Sequence, residues 1–498
     1  MTRDRRPAGR DVAELLVDFG GTLPTVTAAP APATDSEPFA EYVSRRGRRQ
    51  RATGWCAVPA PLSVYRMTSE QAGGTWTLIA GDGLPPTGAP VGIDYLTGGA
   101  FYVDPIGWTI TGTAGVTNPN MIWFGRPGQG KSGTAKAVCL RLMDQNYRTL
   151  VLGDVKDEYE PLCRALGVEP MAIGHGLTAR INPLDFGPLG NDWTALGRAE
   201  AQRRAAMVFS RWLLLLAGLI GSQGVGFDPS AETVLGAAIR ELTGYSTGTD
   251  RMAPITIPAL WHALGDPSPA LLDAGRYADR QQCLDELRPI RDALGALVQG
   301  HLGGLFDAPT TIGIDWNAPI QSLSLSRLDP LGDQAVGVAL MCVNSWGRAM
   351  TALAEPGDLR VIVRDECWRQ MRLGVDAVRS LDADLRLSRR DGCVQIVIAH
   401  KPSDMLAVGD AGSQAVAIAR DLLHLCATKV LFGQDEAIGE ELSELLGLSP
   451  LAQRLVTRWA TNAKGRALWV AGSHLAQVQS VRTRAELILT ETNSAIVA

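Results

Sequence analysis

Lysine is scarce in this 498-residue chain: there are six among 47 basic residues, and the other 41 are arginine. Such a bias fits a GC-rich coding sequence and makes each lysine (Lys131, Lys136, Lys156, Lys401, Lys429, Lys464) a position to inspect. Cysteine is sparse too. The eight cysteines contain no CxxC spacing, which excludes a zinc ribbon or a disulfide framework and suits reduced, mostly buried thiols. His175, His262, His301, His424 and His474 show no metal-ligand spacing. Aromatics make up 6%, and the 12 tryptophans form no base-stacking series, so they read as core and interface residues. No charge sign dominates: 47 basic against 52 acidic residues give a net charge of −5, which excludes a histone-like binder driven by bulk charge. Long apolar runs are missing as well. The most apolar stretch, WLLLLAGLI from Trp212 to Ile220, is about half the ~20 residues that span a bilayer and predicts a buried helix. The N-terminal arginines resemble the start of a signal peptide, but Glu14 and Asp18 interrupt the apolar stretch that would have to follow.

What is present is the material of a folded protein, with 46% hydrophobic residues and length for about three domains on a prior of ~150 residues each. Residues 1–54 read as an arm whose prolines (Pro24, Pro30, Pro32, Pro38) keep it extended. The arm ends in RRGRRQR, residues 45–51, which is either a solvated loop or a contact for a phosphate-rich partner. Residues 55–115 read as a β-rich module: TWTLIAG is a strand, and VGIDYL and AFYVDP flank Thr97-Gly98-Gly99 as a hairpin. From residue 116 strands and helices alternate. MIWF, TLVLGDV, EPMAIG, LRVIV, CVQIVIA, KVLFG and ALWVAG are continuous apolar runs, and they predict an α/β fold with a parallel sheet covered on both faces. Residues 196–312 break the alternation with long helical stretches. They read as an insertion dividing one α/β domain into 116–195 and 313–498.

The first chemical motif follows MIWF. Gly125, Arg126, Pro127, Gly128, Gln129, Gly130, Lys131 and Ser132, continued by Gly133, fit the Walker A pattern GxxxxGK followed by Ser or Thr. The pattern lies between a strand and a helix, as phosphate binding requires. Glycines let backbone N–H groups turn toward polyphosphate oxygens, and the helix aims its positive dipole end at the anion. Lys131 is placed to reach the β- and γ-phosphates of ATP and Ser132 to hold Mg²⁺. The second motif closes LRVIV. Asp365 is assigned to the magnesium ion through water and Glu366 to polarising the attacking water, 234 residues after Lys131. Just before them Arg364 puts a charge where the last apolar strand residue is expected.

Beyond these motifs, longer phrases resemble a known family. NPNMIWFGRPGQGKS, VLGDVKDEYEPLCRALG (with Asp154, Lys156, Glu158 and Tyr159), INPLD at 181–185, GHLGGLFD, IQSLSLSRL, GRALWVAG and GIDYLTGGAFYVDP are similar to conjugative, type IV secretion ATPases of the TraC kind, within the HerA/FtsK group of P-loop motors. The resemblance runs over roughly residues 55 to 490. It implies a RecA-like P-loop core that binds ATP and Mg²⁺ and assembles as a homo-hexamer. It further implies a cytoplasmic location at the inner face of the cell membrane, beside membrane-embedded channel subunits and a coupling protein, with DNA contact left open. His400 takes the place where the family usually has a γ-phosphate-sensing glutamine. Arg389 and Arg390 match its arginine-containing segment and are expected to complete a neighbouring subunit's site, with Arg466 a weaker candidate. Lys156 and Glu158 either pair at a helix start or line the nucleotide pocket. Two alternatives stand beside the secretion motor: a DNA-translocating motor or coupling protein, and a nucleotide-gated scaffold with little turnover. Arg364 and His400 are the residues that keep the scaffold in view.

Overall fold

A computed structural model describes residues 84–490, other than 301, 312–314, 316, 354, 356 and 409–412. The expected arm 1–54 with its RRGRRQR cluster, the strand TWTLIAG and His301 lie outside the described residues.

The strands are β1 (Ala89–Asp94), β2 (Ala100–Val103), β3 (Met121–Phe124), β4 (Arg148–Asp154), β5 (Met171–Ala172), β6 (Ile320–Ser324), β7 (Arg360–Arg364), β8 (Cys393–Ala399), β9 (Thr428–Phe432), β10 (Arg466–Ala471) and β11 (His474–Ser480). They form one sheet in the order β2-β1-β11-β10-β9-β3-β8-β7-β4-β6-β5. From β9 to β5 every pairing is parallel. The reason is visible in β3: Met121 and Trp123 enter the hydrophobic cluster on one face, while Ile122 and Phe124 enter the cluster on the other. A strand buried on both sides reads as an unbroken apolar run.

ALWVAG departs from the parallel expectation. As β10 it pairs antiparallel with both β9 and β11. Only Gly472 and Ser473 separate it from β11, and a two-residue connection can join only antiparallel strands. HLAQVQS, which the apolar-run criterion passes over, is β11; its half-buried pattern carries too many polar residues. The hairpin expected around Thr97-Gly98-Gly99 is β1–β2, and it extends the same sheet through β11. Asp94 fixes it by accepting hydrogen bonds from Leu96 N, Thr97 Oγ1 and Gln477 N at 3.1, 2.9 and 3.1 Å.

Among the described residues, five α-helices lie between β5 and β6: Arg198–Gly221, Pro229–Thr243, Ile257–Gly265, Pro269–Gly275 and Arg280–Gln299. Asp228, Thr256, Ser268 and Asp279 each cap the helix that follows by accepting a backbone N–H. The helix carrying WLLLLAGLI is longer than its apolar run. At 24 residues it is long and apolar enough to cross a membrane, yet 61% of its most apolar window is buried within the protein. INPLD anchors this helical region: Asn182 Nδ2 donates to the Ile255 carbonyl at 2.6 Å, and the Asp185 carbonyl accepts from Arg211 and Trp212.

Arg364 also finds its explanation here. Its side chain is 2% exposed, pairs with Asp384 Oδ2 at 2.9 Å and donates to Gln395 Oε1 at 2.8 Å. Asp384 is shared with Arg348. The charge at the end of β7 therefore belongs to a buried ion cluster beneath the sheet.

Candidate functional site

Topology decides which residues meet. β8 lies between β3 and β7, with Phe124 level with Ala399 and Arg364 level with Val397. The loop after β3, His400 after β8 and Asp365–Glu366 after β7 thus emerge side by side at the carboxyl ends of parallel strands, where open α/β sheets place their ligands. β4 delivers Lys156 and Glu158 to the same edge.

Lys156, Glu158, Asp365 and His400 line one cavity of about 340 Å³, to which Pro127, Gly128, Gly130, Lys131, Ser132 and Gly133 contribute the loop wall; Glu366 stands beside it, against Lys156 and His400. Gly130 occupies the left-handed region at φ +95°, and a Cβ there would stand 2.8 Å from the backbone N of Gly465. The loop is thereby seated against the turn before β10, where Gly465 N also donates to the Gln129 carbonyl at 2.8 Å. On the other flank, Arg126 pairs with Asp435 at 2.6 Å. Lys131 opens the helix Lys131–Met143, and its ammonium donates to the carbonyls of Gly125 and Arg126, the latter at 3.1 Å. Burial draws this ammonium down to about 8, against a counteracting pull from Asp365.

The acidic side is equally organised. Burial, then Glu366 and Glu158, push the Asp365 carboxyl up to about 7. Glu366 sits at φ +53°, in the left-handed region that residues other than glycine seldom adopt. Its Oε1 accepts from Lys156 Nζ at 2.8 Å and its Oε2 from Trp368 Nε1 at 2.6 Å. Burial raises its carboxyl, but contacts from His400 and Lys156 outweigh that and hold it well below the usual carboxylate range. His400 bridges the two halves, with Nδ1 3.3 Å from Lys131 Nζ and Nε2 3.6 Å from Glu366 Oε1. Lys156 therefore pairs with Glu366, while Glu158 faces the cavity.

Comparison with known proteins comes from structure alone. No family model and no curated protein sequence matches the chain. VirB4 of Thermoanaerobacter pseudethanolicus superposes with a TM-score of 0.64 at 21% identity, over 81% of this chain and 99% of that one. The chain has the VirB4 fold. The bacterial conjugative coupling protein TrwB, in its trigonal form in complex with sulphate, matches at a TM-score of 0.50 and 14% identity, over 74% of this chain and 88% of that one. The resemblance drawn from sequence phrases and the VirB4 likeness agree on a P-loop α/β fold with a helical insertion.

Within this VirB4 fold the expected arginines stand apart from the cavity. Arg389 donates to the Thr117 carbonyl at 3.2 Å and Arg390 pairs with Asp391 at 2.8 Å, both just before β8 begins. The seven residues of β8 put roughly 23 Å between them and His400, at ~3.3 Å per strand residue. They cannot serve their own chain's site. Arg466 donates to Gln479 and Tyr95 and lies over the rings of Tyr95 and Trp459. Conversely, sequence reasoning missed Lys464, Arg482, Leu487 and Thr490, which close the cavity from the C-terminal side. The scarcity of lysine was a signal for Lys464; among 41 arginines nothing marked Arg482. Gln434, also missed, is buried and donates to the His400 carbonyl at 2.7 Å. Seven of the eight cysteines lie among the described residues, all buried and unpaired, and no His/Cys/Asp/Glu group there could hold a metal by itself.

Proposed function

We propose that this chain is an ATP-hydrolysing motor of a conjugative, type IV secretion machine. One observation carries the reading: the phosphate loop after β3, Asp365 after β7 and His400 after the strand between them share one cavity, with Glu366 held against its lining residues Lys156 and His400. The VirB4 fold supports it. In this reading the loop's backbone N–H groups and Lys131 bind the triphosphate, and the charge of the ammonium neutralises what builds up on the transferred phosphoryl group. The cavity suits a divalent cation: the carboxyls of Asp365 and Glu158 and the hydroxyl of Ser132 line it together. Ser132 and Asp365 are the residues that would hold Mg²⁺, which when bound supplies Lewis-acid stabilisation of the phosphate oxygens. Glu366, kept ionised by Lys156, accepts the proton of the attacking water through a lone pair that its two donors leave open. His400 senses the γ-phosphate from between Lys131 and Glu366.

The same reading makes the assembly a homo-hexamer in which Arg389 or Arg390 reaches a neighbour's nucleotide. It places that hexamer in the cytoplasm at the inner membrane face, against channel subunits and a coupling protein. Residues 196–312 act as a helical insertion within the motor domain. Steady-state turnover of Mg·ATP by the full chain tests the proposal. The wild type should hydrolyse ATP, Lys131→Ala should neither bind nor turn over, and Glu366→Gln should bind but lose about a hundredfold or more in rate. A wild type no faster than Glu366→Gln would instead leave a nucleotide-gated scaffold.

A further inference from the structure

The phosphate loop and the acidic pair account for the triphosphate end of a nucleotide but offer little to its base. Among the described residues lining the cavity, the apolar side chains are Pro127 on the loop and Leu487. We infer that the segment from Val481 to Thr490 forms the nucleoside half of the site, with Arg482 against the phosphate nearest the ribose and Leu487 as the apolar face for the base. This inference rests on the nucleotide reading above and assigns the part of the site that reading leaves open.

Three independent features support it. The first is the sequence GKSG. A Cβ on Gly133 would stand 2.5 Å from Arg482 Nη1, so the guanidinium lies directly on the first turn of the loop helix. Anions collect at such a turn because of its outward N–H groups and the helix dipole, and a guanidinium beside it adds a forked donor. Lys131 serves the far end of the polyphosphate, which leaves Arg482 the near end.

The second is that Arg482 is held in place. Its Nη1 donates to Thr490 Oγ1 at 2.7 Å, and Thr490 Oγ1 donates to the Glu486 carbonyl at 2.6 Å. Glu486 in turn receives a two-pronged grip from Arg141, Nε to Oε1 at 2.6 Å and Nη2 to Oε2 at 2.8 Å. Arg141 belongs to the loop helix itself and also donates to the Val481 carbonyl at 2.6 Å. The segment is thus bolted to the element that carries the phosphate loop, and Arg482 keeps its geometry relative to Lys131. Arg141 and Glu486 are positioning residues.

The third is apolar exposure. Val481, Leu487 and Ile488 are 47, 47 and 54% exposed, an unusual concentration of uncovered hydrophobic surface in one short stretch beside a polar cavity. A purine face would cover part of it.

Calorimetric titration of the full chain with Mg·ATP and, separately, with magnesium tripolyphosphate tests the assignment. Tripolyphosphate keeps the three phosphates and lacks the nucleoside. Arg482→Gln should weaken both ligands by tenfold or more, with Arg482→Lys recovering part of the loss. Leu487→Ser, at an exposed position that folding does not depend on, should weaken Mg·ATP about fivefold and leave tripolyphosphate unchanged. Wild-type affinity for Mg·ATP in both variants would overturn the inference while leaving the nucleotide reading intact. So would a Leu487→Ser loss equal for the two ligands, because the segment would then be shaping the loop rather than reading a nucleoside. A wild type that binds neither ligand would sink the nucleotide reading, and this inference with it.

Discussion

At the scale of single residues, the site sorts charges by what surrounds them. Arg364 and Glu366 stand two positions apart at the end of β7, yet one is locked beneath the sheet with Asp384 while the other turns through a left-handed backbone step to meet Lys156 and His400 at the cavity's wall. Removing Asp384 should therefore be a stability lesion. Asp384→Ala leaves the buried guanidinium of Arg364 without its carboxylate, and the half-buried Arg348 without one of its partners, and should cost about 3–5 kcal/mol in urea unfolding. ATP turnover per folded molecule should stay near wild type; a selective loss of turnover would return Arg364 to the catalytic machinery. The loop and the acidic pair were legible from sequence because each is a contiguous pattern flanking a strand. His400 was legible only as a position after a strand. Its contacts with Lys131 and Glu366 arise from residues 269 and 34 positions away, brought together by strand order.

At the scale of elements, the C-terminal clamp has a defined pH dependence. Glu486 is mostly buried, and although burial alone would raise its carboxyl, the bonds from Arg141 and Thr483 outweigh that and place it below its ordinary 4.5. A depressed acid contributes stability above its unfolded value and loses it as pH falls through the folded one. Glu486→Ala should destabilise the protein by about 3 kcal/mol near neutrality. The gap to wild type should begin to narrow as pH falls below the ordinary 4.5 and close only further into acid, as followed by thermal denaturation across pH. An undiminished gap in acid would assign the effect to lost packing. Most of the parallel strands were readable because burial on both faces leaves an unbroken apolar run, a pattern that β6 breaks by burying Gln321, Ser322 and Ser324. β11 was not, because a strand with one wet face mixes polar residues into its pattern, and its partner β1 lies hundreds of residues earlier. The clamp escaped notice for the same reason: Arg141 and Glu486 carry no local signature, only a distant partner.

At the scale of the molecule, the arginines before β8 set the geometry of any shared site. They lie at the opposite edge of the sheet from the cavity, so a catalytic role for them needs a second subunit. Replacing both Arg389 and Arg390 by alanine should leave nucleotide affinity unchanged and lower turnover about a hundredfold or more, with the assembly intact by mass photometry. Mixing Arg389→Ala/Arg390→Ala chains with Lys131→Ala chains should then restore measurable hydrolysis, since each supplies what the other lacks. Failure to rescue would place both arginines outside the reaction.

Arg141 reaches further than the clamp. Besides Glu486 and Val481 it donates to the carbonyls of Pro90 and Val91, at 2.6 and 3.2 Å, so the outgoing strand β1 and the closing segment share one fastening on the loop helix. Mechanical load applied through β1, or through the residues after β11, is delivered to the helix whose first turn cradles the anion. If the chain forms the proposed ring, a tug by a neighbouring subunit on β1 or on the segment after β11 would be felt as a change in grip on the anion, a route by which its sites would fire in step.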